Sequence, residues 1–139
     1  MSTTTSPRAD DVHVGDELPE LAIPLTRTLI VSTAIASRDY QDVHHDPALA
    51  VERGSPDIFM NILSTNGFVS RFVTEWAGPA ARLTKLAIRL GAPNYPGDTM
   101  SFTGSVEAKD DATNTVTVGL VGANSIGAHV TGKVEVVLP

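Results

Sequence analysis

The sequence predicts an α+β domain in which a curved antiparallel sheet wraps around one long central helix. Three observations carry this expectation. A single apolar segment near mid-chain repeats at helical spacing, four later segments alternate apolar and polar residues, and turn-forming residues separate them. An apolar helix and a sheet with one apolar face each need cover, and curling the sheet around the helix buries both.

Taken in order, residues 1–12 are polar, with a Ser/Thr run, Pro7 and an Asp10–Asp11 pair, and read as a disordered tail ahead of a domain over residues 13–139. The β-branched run from Thr26 to Ser32 reads as a strand entering the core. A polar stretch from Ser37 to Pro56 follows, within which Pro47 to Arg53 suits a short helix with proline in its first turn. So much polarity in mid-domain marks a candidate site. The central helix starts between Pro56 and Asn61, carries Ile62, Val69, Phe72, Val73 and Trp76 on its apolar face, and ends at Gly78-Pro79. Gly67 inside it costs about 1 kcal/mol relative to alanine, which close approach of another backbone element would explain. Leu86 to Leu90, Met100 to Ala108, Val116 to Leu120 and Val130 to Leu138 then alternate as half-buried strands, with turns at Asp110 to Asn114 and Asn124 to Gly127.

Composition narrows the function. A length of 139 residues supports one core and therefore one site. Aromatics at 5% and a formal charge of −6 leave neither stacking platforms nor a basic stripe for nucleic acid. The absence of cysteine removes disulfides, zinc-thiolate sites and a thiol nucleophile together. No apolar run is long enough to span a bilayer or to form a signal peptide core, so a cytoplasmic protein without a membrane partner is expected.

The candidate chemistry lies in Ser37-Arg38-Asp39-Tyr40-Gln41-Asp42-Val43-His44-His45-Asp46-Pro47, followed by Gly54-Ser55-Pro56-Asp57-Ile58-Phe59-Met60-Asn61. On a straight helix, Asp39 and His44 would point roughly 140° apart, so the chain must turn between them if they are to act together. His45 with Asp46 lacks a further ligand pair at suitable spacing, which argues against a metal. His13 and His129 have no motif around them.

This stretch resembles the hydratase motif of MaoC-like, R-specific 2-enoyl-CoA hydratases: serine-glycine-aspartate, any residue, asparagine-proline-aliphatic-histidine, then a glycine before the central helix. Asp39 and His44 match the catalytic pair of that family, and Asn94-Tyr95-Pro96-Gly97-Asp98-Thr99 is similar to the turn before its next long strand. There are three departures: Arg38 stands where glycine is usual, Gln41-Asp42 replaces asparagine-proline, and Met60-Asn61 replaces histidine-glycine. This variant pattern is most similar to the short subunit of actinobacterial steroid side-chain enoyl-CoA hydratases, which works with a second MaoC-like subunit.

The resemblance implies a hot-dog fold and a hydratase that adds water to a 2-enoyl-CoA thioester. In it Asp39 and His44 hold the water, no cofactor or metal takes part, and a second MaoC-like subunit completes a heterodimer or heterotetramer, with a homodimer as the other possibility. It names Asn61, through its backbone N–H or its amide, and Gly54 as oxyanion or substrate-binding candidates. Which of the pair is acid and which base stays open. So do two rivals: a non-catalytic subunit that only shapes an acyl pocket, and a thioesterase with its carboxylate at Asp57 or Glu75. Arg82, Lys85 and Arg89 read equally as contacts to coenzyme A phosphates or as solvated strand residues.

Overall fold

The computed structural model describes residues 5–139. Its elements are β1 (Leu21–Pro24), α1 (Arg27–Ala36), α2 (Pro47–Glu52), α3 (Ile62–Ala77), β2 (Arg82–Leu90), β3 (Thr99–Asp110), β4 (Thr115–Ala123) and β5 (Ala128–Val137), with single 3₁₀ turns at Ala9–Asp11 and Asp42–His44. The sheet is antiparallel throughout, in the order β1-β3-β4-β5-β2, and it curls around α3 in a hot-dog fold.

Alternation places each strand. Val116, Val118 and Leu120 of β4 and Val130, Val134 and Val136 of β5 are buried, as are Met100, Phe102 and Val106 of β3. Against them α3 turns Val69, Phe72, Val73 and Ala77, and the Phe72 and Phe102 rings stack at 5.5 Å. Among the described residues no helix is long and apolar enough to cross a membrane.

Three expectations need correction. The run read as a strand is the helix α1. Thr26 caps it, accepting the Leu29 N–H at 3.0 Å, and Ile30 and Ala34, four residues apart, form its buried face. Strand propensity of β-branched residues yields here to tertiary packing. Gly67 has no close neighbour, since a Cβ there would meet nothing within 4 Å, so no backbone approach within the chain explains it. The tail segment differs from its expected looseness wherever it is described. Residues 1–4 lie outside the described residues, but Ala9 and Val12 are buried, and the Ala9 N–H donates to the Pro139 carbonyl at 3.0 Å. The Ala80 N–H also donates to Ser6 Oγ at 2.9 Å, which ties the segment to the end of the central helix.

Buried polar side chains fix the start of α3 against the sheet. His129 on β5 donates from Nδ1 to the Ala92 carbonyl at 2.6 Å, which leaves Nε2 to accept the Thr65 hydroxyl at 2.8 Å. The Asn94 carbonyl accepts the Met60 N–H at 3.0 Å, and the Asn94 side chain accepts from Asn124 at 2.8 Å. Burial holds the His129 imidazole below its ordinary pKa, with the Ala92 bond opposing. A histidine kept neutral by folding costs stability once the unfolded chain takes up protons, that is, as pH falls below about 6.5. Replacing His129 with glutamine therefore reduces the drop in melting temperature between pH 7.5 and pH 5.5; an unchanged drop in thermal melts would contradict the latch.

Candidate active site

Asp39 is placed by the way α1 ends. The Arg38 N–H donates to the Ile35 carbonyl at 3.0 Å and the Asp39 N–H to the Ala34 carbonyl at 2.9 Å, the paired bonds of a Schellman motif. That motif needs a left-handed residue in its middle, and Arg38 supplies it at φ +58°. This explains why glycine is usual here in the family pattern. The arginine keeps the loop geometry at a cost of about 1 kcal/mol in backbone strain.

The same motif closes α2, with the Gly54 N–H donating to Val51 and the Ser55 N–H to Ala50. Gly54 takes φ +93° without strain. Its N–H is therefore occupied, and Gly54 serves as a turn-maker in the loop between His44 and α3.

His44 comes from the separate turn at Asp42–His44, so the chain does change direction between the two residues. His44 Nε2 lies 3.4 Å from Asp39 Oδ2, with the two side chains 8% and 21% exposed, which shields the pair from bulk water. His44 Nδ1 donates to the Phe59 carbonyl at 2.6 Å, and the Phe59 ring packs edge-on against the imidazole. That bond requires a proton on Nδ1, so in the neutral imidazole it is the Nε2 lone pair that faces Asp39.

Asn61 joins the pair to the central helix. Its side-chain carbonyl caps α3, accepting the Ser64 N–H at 3.0 Å and the Ser64 hydroxyl. Its amide donates to Ser37 Oγ at 2.9 Å and to Asp39 Oδ2 at 3.1 Å. Asn61 is buried and its side chain is fully engaged. The backbone N–H groups of Asn61, Ile62 and Leu63 have no acceptor among the described residues, as expected in the first turn of a helix.

Asp39 sits below the ordinary carboxylate pKa, first through the Asn61 bond, then through the Gln41 N–H and the nearby His44, with burial opposing. Two ion pairs brace the surrounding loop. Arg53 grips Asp42 with both contacts at 2.7 Å, and Arg27 grips Asp57 at 2.9 and 2.8 Å. The Asp42 pair ties the loop down at the position where the resembled motif has proline.

The other candidates lie elsewhere. Asp57 is committed to Arg27, and Glu75 pairs with Arg71 on an exposed turn of α3, so neither carboxylate is poised for thioester cleavage. Among the described residues no three His, Asp or Glu side chains converge as metal ligands. Lys85 pairs with Glu135, and a depression of about 1080 Å³ that it lines with Arg89 lies on the outer face of the sheet, lined by neither Asp39 nor His44. Sequence reading missed Phe59 and Ser37 as partners and the engagement of Asn61 with Asp39. A backbone carbonyl leaves no trace in side-chain pattern, and the Asn61 contact joins residues 22 apart.

The chain matches the MaoC like domain family over residues 12–126. It is 52% identical over 122 residues to the 3-oxo-4,17-pregnadiene-20-carboxyl-CoA hydratase beta subunit of Mycobacterium tuberculosis, covering 88% of this chain and 93% of that one. A chain of the crystal structure of the ChsH1-ChsH2 complex from Mycobacterium tuberculosis superposes with a TM-score of 0.88 at 50% identity, covering 91% of this chain and 98% of that one. The (R)-hydratase from A. caviae involved in PHA biosynthesis has a TM-score of 0.84 at 20% identity, over 92% and 98% of the two chains, and shares the fold.

The Asn61 clamp is open to direct measurement. Replacing Asn61 with alanine removes the main cause of the depressed Asp39 pKa, so the Asp39 carboxyl titrates at higher pH when followed by carbon NMR. Because a depressed carboxylate stabilises the fold above about pH 3.9 and loses that effect as pH falls through its folded pKa, the variant also has the shallower acid loss of stability. An unmoved Asp39 titration would contradict the clamp.

Proposed function

The chain belongs to the MaoC-like family, and from that membership we propose that it is the catalytic subunit of a 2-enoyl-CoA hydratase acting on a steroid side-chain enoyl-CoA, assembled with a second MaoC-like subunit. The single observation that carries the chemistry is the 3.4 Å approach of His44 Nε2 to Asp39 Oδ2. With Asp39 ionised and the His44 proton held on Nδ1, both facing atoms are acceptors. A water molecule can satisfy both by donating one O–H to each.

The reaction follows from that arrangement. As the water oxygen bonds to C3 of the enoyl group, His44 Nε2 takes one water proton, and the charge of Asp39 stabilises the imidazolium that forms. The C2–C3 π pair moves toward the thioester oxygen as an enolate. The free N–H groups at the start of α3, with Asn61 first, suit that oxygen, and the positive end of the helix dipole adds to them. His44 then returns its proton to C2 on the face that water attacked. Water is consumed whole, and the residues regain their starting protonation without a cofactor. A cytoplasmic location is part of this reading, since a CoA thioester is a water-soluble substrate.

The steroid acyl group and the partner come from the relatives: a hydratase of a pregnadiene-carboxyl-CoA named as a beta subunit, and a chain crystallised in a two-component complex. The two-subunit reading also fits the exposed large apolar side chains Ile35, Tyr40, Ile62 and Leu63, from segments that flank the pair at the end of α1 and the start of α3.

Co-expression with a second MaoC-like subunit and assay on enoyl-CoA esters tests this reading. Enoyl absorbance falls without thiol release, and Asp39→Asn or His44→Ala lowers kcat by about 10² or more while the complex still assembles. Thiol release without hydration, or full rates in both variants, would overturn it.

A further inference from the structure

Arg38 is the unexplained residue of the site. It occupies the left-handed position of a Schellman motif at φ +58°, where Gly54 does the same task in the neighbouring loop without strain. Nothing in the fold requires its side chain: Arg38 is exposed, and no carboxylate lies within ion-pair distance among the described residues. Arg27, Arg53 and Arg71, by contrast, are each paired. Strain held beside a reacting group, in a residue whose charge is uncommitted, marks a functional side chain.

We propose that Arg38 is a substrate-binding residue whose guanidinium takes a phosphate of the coenzyme A moiety where that moiety leaves the site. This rests on the hydratase reading above and adds a subsite to it. A chain of formal charge −6 disfavours a polyanionic substrate, and an uncommitted cation beside the site offsets that repulsion. Other cations are poorly placed: Arg8 stands two residues from Ser6, which accepts the Ala80 N–H just beyond the C-terminal end of α3. Arg53 is held by Asp42 and Arg27 by Asp57. Arg82 follows the C-terminal end of α3, a helix of 16 residues and so about 24 Å from the end that bears Asn61. Arg89 lines the depression on the outer face of the sheet. Arg38 precedes Asp39 directly, and its planar fork suits a phosphate better than a lysine would.

The test compares coenzyme A with pantetheine, which lacks every phosphate, in equilibrium binding to the assembled complex. Arg38→Gly lowers affinity for coenzyme A about tenfold, the effect of one charge-assisted hydrogen bond, and Arg38→Lys restores part of it. Pantetheine binding does not follow the charge at this position, and the coenzyme A difference shrinks at high salt. Arg38→Gly also melts no lower than the unaltered protein, since it relieves the left-handed strain. Equal affinity of the glycine variant and the unaltered protein for coenzyme A would overturn the proposal. So would dissociation of the complex by Arg38→Gly, which would assign the guanidinium to the partner subunit. The measurement needs no turnover, so absent hydration would strike the hydratase reading separately.

Discussion

Everything at the site depends on one buried amide. The Asn61 side chain has two faces: its carbonyl terminates the central helix by capping Ser64, and its amide holds Ser37 and Asp39 at the end of another helix. A buried amide left without partners would cost more than the bonds yield when made, so Asn61 constrains both segments at once. The apolar face of α3 fixes where that helix lies in the sheet, and Asn61 transmits that position to the carboxylate. The same contact is the largest of those that lower the Asp39 pKa, so it acts on both the position and the charge of the carboxylate.

The loop that carries the pair has little regular structure, and its rigidity comes from helix ends and ion pairs. α1 and α2 finish in the same backbone motif, and the chain reaches His44 through a single tight turn. Asp42 with Arg53 and Asp57 with Arg27 tie the loop back at two points. His44 is oriented by a carbonyl, that of Phe59, which precedes α3 by three residues and is held through the Phe59 N–H donating to Val43. A half-shielded Asp–His pair can therefore be held on loop residues without depending on side-chain packing alone.

Strands β3 to β5 and the central helix were legible because each buries one face, and β2 because Leu86 and Ile88 pack partly buried on the core; one-sided packing writes a period of two or of 3.6 into the residues. α1 was misread because Thr26 to Ser32 is rich in β-branched side chains, while its helical signal is short: a threonine cap and one buried pair, Ile30 and Ala34. β1 has four residues, too few for a period to show. At the site, the order of their neighbours singled out Asp39 and His44 where their own spacing did not, and the fold brings the two within 3.4 Å. The roles of Phe59 and Asn61, and of His129 behind them, depend on contacts between residues far apart in the chain, and a single sequence carries no sign of these.

In the proposed reaction water and proton reach the substrate from one side, because the Asp39 and His44 atoms that face each other lie 3.4 Å apart. Hydration run in deuterium oxide by the assembled complex reads this in the product. One deuterium at C2, on the same face as the new hydroxyl at C3, is the predicted result. Deuterium on the opposite face, or scrambled between the two, would mean that the proton comes from a group other than this pair.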